Sequence, residues 1–169
     1  RIISGDNVQW VLFKNVGEYK KCACYNLGAK HVTTDIIIFL DIDIIVDCRM
    51  LLESINDAHE SGQLDCMIGY NRTAIYMTEE GEREFLDTLD INDLRSKVEH
   101  IGKHTGDANE YGVIGNTRAV GGCLVMTKNV FNSSGGFNPF FIGWGYEDDE
   151  IISRLRILKY CITSSGISG

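Results

Sequence analysis

The feature that most constrains the fold is a nearly continuous apolar run, DIIIFL, at residues 35–40. Polar residues bound this run, and the pattern is typical of a β-strand that is buried on both faces. A strand of that kind normally lies in an α/β sheet that is covered by helices. We therefore predict a layered α/β domain in which residues 35–40 form a buried strand.

Hydrophobic periodicity predicts the other elements along the chain. The predicted strands are residues 8–14, 64–69 and 119–126, and the predicted helices are residues 18–30, 79–103 (one or two surface helices) and 147–160. Asp47 is expected to cap a further helix that ends at Gly62, and Thr127 a short helix before Gly135. The buried stripe of the last helix is predicted to be Ile151, Ile152, Leu155 and Leu158.

Composition limits the class of protein. The chain has 169 residues, of which 44% are hydrophobic and 24% charged, with a single proline, so we expect one globular domain over residues 1–169. The net charge of −8 argues against a nucleic-acid partner, which requires a basic surface. The six cysteines lack paired CxxC spacing and are interpreted as buried free thiols in a reducing compartment. His100 and His104 are interpreted as exposed helix residues.

Two aspartates follow the apolar run, in the stretch LDID. Residues i and i+2 on an extended backbone point the same way, so Asp41 and Asp43 are expected to face one point at the carboxyl end of a strand. Carboxylate oxygens suit Mg²⁺ or Mn²⁺. The alternative is that the two aspartates end the strand at a solvated turn.

A second polar segment, GWGYEDDE at residues 143–150, combines glycine, aromatic and acidic residues. The glycines allow a tight turn around Trp144, whose indole offers a flat apolar face to a sugar ring. One of the acids that follow is a candidate general base. The alternative is that these acids only favour the first turn of a helix through its dipole.

These segments, together with KKCACYNLGAKHVTTD and NTRAVGGCLVMTKNVFNSSGGF, resemble glycosyltransferases of the GT-A fold. The most similar branch contains the β-1,4-galactosyltransferases, the chondroitin-type polymerases and related family 2 enzymes. The resemblance extends over residues 19–155, except residues 70–115, which are interpreted as a variable insertion. It implies a mixed sheet flanked by helices in a partial catalytic domain that lacks the opening strands of the fold.

The resemblance implies roles for individual residues on the donor side. Asp43 would ligate Mn²⁺ or Mg²⁺, and Asp41 would contact the metal or the donor ribose. The remaining donor-binding residues that it implies are Lys21 near the diphosphate, Asn26 on the same helix, and Gly121 and Gly122 close to the sugar.

The resemblance also implies roles on the acceptor side. Trp144 would border the donor sugar and the acceptor, and Asp148 would deprotonate the acceptor hydroxyl. Glu147 and Asp149 would hold acceptor hydroxyls or tune that base. The implied reaction moves a hexose or N-acetylhexosamine from a UDP-sugar to a glycan or glycoconjugate acceptor, with inversion and with metal dependence.

Two other functions stay open at this point. One is a retaining GT-A enzyme similar to N-acetylgalactosaminyltransferases, and the other is a fragment that binds sugar or nucleotide without catalysis. We expect membrane association only through parts outside this sequence. The expected location is the cytoplasm, or the Golgi lumen if the parent protein carries an anchor.

Overall fold

The computed structural model describes residues 2–5, 8–14, 17–69, 73–90, 92–93, 96, 112–116, 121–143 and 145–165. The strands are β1 (Ile2–Gly5), β2 (Val8–Val11), β3 (Ile36–Leu40), β4 (Cys66–Ile68), β5 (Thr73–Met77), β6 (Gly112–Asn116), β7 (Cys123–Thr127) and β8 (Ile162–Ser164). The helices are α1 (Lys21–Ala29), α2 (Cys48–Glu60), α3 (Glu79–Thr88), α4 (Lys128–Ser133) and α5 (Glu147–Ile157). The described residues thus form the α/β fold that the sequence predicts.

The central sheet has four strands in the order β3-β7-β4-β8. Strand β7 runs antiparallel to both β3 and β4, while β8 runs parallel to β4. The strand covered on both faces is β7, whose first four residues are at most 1% exposed. The sheet is therefore mixed, as the GT-A resemblance implies, and it is built around β7.

The prediction that residues 35–40 are buried on both faces is wrong. Ile37 and Phe39 are buried, but Ile38 and Leu40 on the opposite face are each 42% exposed. The physical reason is that α2 packs over the central strands on this face, and among the β3 residues its cluster includes Ile36 alone, since β3 is the outer strand of this sheet in the described part of the chain. An apolar run alone does not distinguish a central strand from an outer one that is covered on one face.

Two hydrophobic clusters cover the two faces of the sheet. On one face, α1, α4 and α5 pack around an aromatic group in which the Phe39 ring lies 5.0 Å from Phe137 and 5.2 Å from Phe131. On the other face, Leu51 and Ile55 of α2 pack against the central strands. The helices thus cover both faces of the central strands, while β3 stays partly exposed on the α2 side.

The helix boundaries largely confirm the predicted ones. The Asp47 and Thr127 side chains cap α2 and α4 by accepting hydrogen bonds from the Met50 and Val130 main-chain N–H groups. Helix α5 buries three of the four predicted stripe residues. The prediction for the fourth, Leu158, is wrong, since this residue follows the end of the helix and is 48% exposed.

The segment 70–115 contributes an antiparallel pair, β5 and β6, which forms a two-stranded sheet separate from the central one. Helix α3 follows β5 and confirms the beginning of the helical segment predicted at residues 79–103. His100 and His104 lie outside the described residues. The description of this segment as a variable insertion stays a prediction.

The thiols are free, as predicted, although they are not all buried. Cys22, Cys66 and Cys123 are buried, whereas Cys48 and Cys161 are exposed. Burial raises the pKa of the Cys22 and Cys123 thiols to about 11 and that of Cys66 to about 12. Within the described part of the chain, no helix has the length and apolar character to cross a membrane.

Candidate active site

A buried lysine gathers three carboxylates from distant parts of the chain. The Lys21 Nζ donates to Asp41 Oδ2 at 2.9 Å, to Glu147 Oε1 at 3.1 Å and to Asp148 Oδ2 at 3.1 Å. The Lys21 side chain is only 5% exposed. We call this group of Lys21, Asp41, Glu147 and Asp148 the acidic cluster.

Local structure explains how these residues meet. Lys21 begins α1, Glu147 and Asp148 begin α5, and Asp41 directly follows β3. The Asp41 N–H donates to the Gly122 carbonyl at 2.8 Å, which continues the pairing of β3 with the residues before β7. The cluster therefore lies where two helices begin beside the end of a strand, the usual place for a site in an α/β fold.

Burial and charge act in opposite directions on Lys21. Burial alone lowers its pKa, but the hydrogen bond to Asp41 and the negative charges of Asp148 and Glu147 outweigh it, so the pKa of Lys21 is raised. The lysine is therefore cationic at neutral pH. A buried cation of this kind needs its anionic partners.

The pKa values of the two acids of α5 are shifted in opposite directions. Burial raises the pKa of Glu147, yet hydrogen bonds from main-chain N–H groups and from Lys21 outweigh it and lower that pKa. For Asp148, burial dominates and raises the pKa despite the opposing charge of Lys21. Glu147 is thus held ionised, while Asp148 has the more basic carboxylate.

Glu147 is held on both of its oxygens. Its Oε1 accepts from Lys21, and its Oε2 accepts from the Gly145 main-chain N–H at 2.9 Å. The residue is 5% exposed. This arrangement braces the turn before α5 and leaves Asp148, whose side chain is 16% exposed, as the more accessible acid.

The pair Asp41 and Asp43 does not adopt the extended geometry that we predicted. A turn begins at Asp41, with the Ile44 N–H donating to the Asp41 carbonyl at 3.2 Å. The backbone turns here because the strand pairing ends at this point. Asp41 joins the acidic cluster, whereas Asp43 is exposed on the turn. The alternative of a strand that ends at a turn therefore describes the backbone correctly.

Gly121 makes room for Asp148. A Cβ built on Gly121 would lie 2.7 Å from the Asp148 Cγ and closer still to Oδ2. Gly122 has a φ of +88°, in the left-handed region that favours glycine. The two glycines predicted to approach the donor thus also have a role in the cluster itself, since they admit Asp148 and pair with Asp41.

Three other predicted site residues are not among the contacts of the acidic cluster that the structure describes. Both ends of the Asn26 amide bind the Phe137 main chain, at 2.7 and 2.9 Å, so the structure gives Asn26 a scaffolding contact. Asp149 is exposed on the first turn of α5. Trp144 lies outside the described residues. The ligand contacts predicted for these three stay predictions.

Sequence reasoning missed Tyr25. Its hydroxyl donates to Asp41 Oδ1, and its ring packs 5.2 Å from the rings of Phe39 and Phe137. Burial and the bond to Asp41 raise the pKa of this phenol. The available signal was its spacing, because residues 21 and 25 lie on the same face of a helix.

The turn before α5 contains an unusual tyrosine. Tyr146 has a φ of 66° and is the N-cap of the helix, while the preceding Gly143 and Gly145 also have positive φ. A left-handed conformation costs a residue with a side chain about 1–2 kcal/mol. The turn is joined to the segment just before α1, because the Gly143 N–H donates to the Tyr19 carbonyl at 2.8 Å.

Comparison with known proteins bears on the half of the site that follows β6. Residues 108–166 match a family model described as the N-terminal domain of galactosyltransferase. The matched segment contains Gly121, Gly122, Glu147 and Asp148. None of the curated proteins compared with the chain matches it.

The mixed sheet, its flanking helices and this match define a class. The match supports a glycosyltransferase, and the described α/β architecture is consistent with a partial GT-A domain. Within that class, the matched segment is similar to the galactosyltransferases of family 7, which confirms the resemblance stated from the sequence. A glycosyltransferase acts on a sugar donor and an acceptor.

Removing the lysine charge is expected to destabilise the fold in a pH-dependent way. In Lys21→Met, three acids lose their cation, which costs about 3 kcal/mol at neutral pH. Without Lys21, the folded-state pKa of Glu147 loses one of the contacts that lower it and the pKa of Asp148 rises further, so the carboxyls protonate at higher pH as the pH falls. The stability lost at pH 7 should therefore be partly regained near pH 4–5.

Urea unfolding of both proteins at pH 7 and pH 4.5, without added metal, measures this difference. Lys30→Met is the control, because Lys30 is exposed at the other end of α1 and should change stability by less than about 0.5 kcal/mol. A loss in Lys21→Met that is equal at the two pH values would contradict the charge explanation.

A side chain at position 121 is expected to displace the Asp148 carboxylate. Gly121→Ala should lower the rate of sugar transfer roughly 100-fold, because a misplacement of about 1 Å has effects of that size. Overpacking should also cost about 1–3 kcal/mol of stability. The matched control is Gly28→Ala in α1, where an added Cβ meets no heavy atom of the described residues within 4 Å.

Transfer rates and thermal unfolding of the two glycine variants give the comparison. Gly28→Ala should keep its activity and gain about 0.5–1 kcal/mol from the helical preference of alanine. Full activity in Gly121→Ala would show that Asp148 does not need this space.

Proposed function

We propose that the chain transfers a hexose or N-acetylhexosamine from a UDP-sugar to a carbohydrate hydroxyl with inversion at the anomeric carbon. The observation that carries this proposal is the position of Asp148. Asp148 lies in the first turn of α5, within the segment that matches the galactosyltransferase model. Its carboxylate oxygen lies 3.1 Å from the Lys21 ammonium. Asp148 is the general base in this proposal.

The contrast between the two acids of α5 supports Asp148 over Glu147. A general base needs access to the proton that it accepts and a pKa that approaches the working pH. Asp148 has the more exposed carboxylate and a raised pKa, whereas both Glu147 oxygens are occupied and its pKa is lowered. Glu147 then positions the turn that carries the base.

On the donor side, we propose that Lys21 contacts the diphosphate and that Asp41 and Asp43 hold Mn²⁺ or Mg²⁺. Such ions take one or two protein carboxylates and complete their shells with water and phosphate oxygens. Asp41 accepts one hydrogen bond on each oxygen, so lone pairs remain, and Asp43 is exposed two residues further on. The residues present therefore fit an oxygen-ligated ion.

The number of protein ligands available for this ion is small. Among the described residues, no group of three or more His, Cys, Asp or Glu side chains is arranged to hold a metal ion. An ion held by Asp41 and Asp43 would therefore need further oxygen ligands, such as those of the donor diphosphate. When bound, it supplies charge neutralisation for the departing nucleoside diphosphate.

Replacing the proposed base should stop turnover and spare nucleotide binding. In Asp148→Asn, the side chain keeps its size but cannot accept the acceptor proton, so kcat should fall about 10²–10⁴-fold. The affinity for UDP should stay the same. Steady-state transfer with a set of UDP-hexoses and UDP-N-acetylhexosamines, together with calorimetry of UDP binding, measures both quantities.

The comparison variant for this experiment is Asp149→Asn, which removes an exposed acid from the same helical turn. It should raise the acceptor KM without a fall in kcat of that size. Unchanged turnover in Asp148→Asn would remove Asp148 from the base role. NMR of the product decides the stereochemistry, since retention of the donor's anomeric configuration would contradict inversion.

Donor binding should depend on a divalent cation and on Asp43. We expect a chelator to weaken UDP binding and Mn²⁺ to restore it, and Asp43→Asn to weaken the Mn²⁺-dependent binding roughly tenfold or more. Asp57→Asn in α2 is the matched control, because it removes an exposed carboxylate of the same type. If UDP binds equally well with chelator, the two aspartates do not hold a metal.

A further inference from the structure

Tyr146 differs from the three described N-caps whose side chains accept a hydrogen bond from their helix, and also from Lys20 before α1, which makes no such bond but has a φ of −126°. Asp47, Thr78 and Thr127 have extended backbones, and their side chains accept a hydrogen bond from the helix. Tyr146 instead has a left-handed backbone and makes no capping hydrogen bond through its side chain. N-cap positions favour short polar residues in extended conformation. Tyr146 therefore departs from the N-cap preference for residue type and from the preference for backbone conformation.

The other described residues with a side chain and positive φ have an ordinary explanation. Leu89 and Lys159 follow the ends of α3 and α5. Helices commonly end with a residue in the left-handed conformation, which satisfies their last carbonyl groups. Tyr146 has this conformation at the beginning of a helix, where that explanation does not apply.

The fold does not account for the tyrosine side chain. Tyr146 is 81% exposed, so the ring contributes little to the core. Glycine would adopt the same backbone without strain, as Gly143 and Gly145 do in this turn. A strained residue that lies next to a site points to a function for its side chain.

The position of Tyr146 indicates what that function is. It directly precedes Glu147 and Asp148, and the Gly145 N–H that braces Glu147 belongs to the same turn. Tyr19, which accepts the hydrogen bond from Gly143, is a second exposed tyrosine at this turn. The charge of Asp41, after burial, contributes to the raised pKa of Tyr19, which places that phenol within electrostatic reach of the acidic cluster.

We propose that Tyr146 binds the acceptor, with its ring stacked on the apolar face of a pyranose whose hydroxyl reaches Asp148. This inference rests on the proposed function, because it takes Asp148 as the group that meets the acceptor. A phenol suits a sugar, since its face packs on C–H groups and its hydroxyl forms hydrogen bonds. The ring also loses little conformational entropy when it binds, because it has only two side-chain torsions.

The test compares Tyr146→Gly, Tyr146→Phe and Lys159→Gly in the full chain. The probes are the methyl glycosides of glucose, galactose, N-acetylglucosamine and N-acetylgalactosamine, titrated by saturation-transfer NMR with UDP and Mn²⁺ present. Tyr146→Gly should weaken glycoside binding about tenfold, the size expected for loss of an aromatic contact. It should also raise the unfolding midpoint by about 2–4 °C through relief of backbone strain.

The other two variants separate the side chain from the backbone. Tyr146→Phe should bind the glycosides within about threefold of the original chain, because it keeps the ring face. Lys159→Gly relieves the strain of a left-handed backbone at the other end of α5. This variant should not alter glycoside binding. UDP affinity should stay constant in all three variants.

Three results would overturn the proposal. Glycoside binding by Tyr146→Gly that equals that of the original chain would show that the ring has no role, and so would the absence of any glycoside binding by the original chain. Weaker UDP binding in Tyr146→Gly would assign the ring to the nucleotide base instead. Failure of the proposed function is distinguishable: UDP binding and transfer would be absent, while glycoside binding would still depend on Tyr146.

Discussion

The structure of the site depends on the ammonium group of Lys21. Burying a charged group is costly unless it is paired and hydrogen-bonded, and here three carboxylates from β3 and α5 surround it. The acids also need the lysine, because one buried and two half-buried carboxylates lie close together and repel one another. One positive charge nevertheless faces three negative ones. The site thus remains negative overall, which suits a second cation.

Helix α1 carries the contacts that hold this arrangement in place. Lys21 and Tyr25 lie one helical turn apart, and they bind the two oxygens of the same Asp41 carboxylate. Asn26, the next residue, binds the Phe137 main chain through both ends of its amide. The same helix therefore orients an acid at the sheet edge and the loop that leads to α5. A shift of α1 would move both halves of the site together.

Sequence periodicity could predict the elements of the fold, but not their neighbours in the sheet. The caps at Asp47 and Thr127 depend only on neighbouring residues, so the sequence predicts both correctly. The central place of β7 depends on pairing with β3 and β4, residues far apart in the chain, and a short apolar run carries no information about that. In the site, the resemblance identified Lys21, Glu147 and Asp148. The links through Tyr25, and the space that Gly121 leaves for Asp148, arise only when the helices and the sheet meet.

The two neighbouring acids show how one turn can divide its roles. Glu147 and Asp148 share the same lysine at the same distance of 3.1 Å, so the lysine alone cannot explain their opposite pKa shifts. Glu147 has additional main-chain N–H donors, which stabilise its ionised form. Asp148 fills the space beside Gly121, where burial outweighs its single cationic partner. Environments that separate the pKa values of two acids are the usual basis for distinct catalytic tasks. The backbone geometry around Gly145 and Gly121 therefore makes Glu147 the brace and leaves Asp148 as the acid that the proposed function takes as the base.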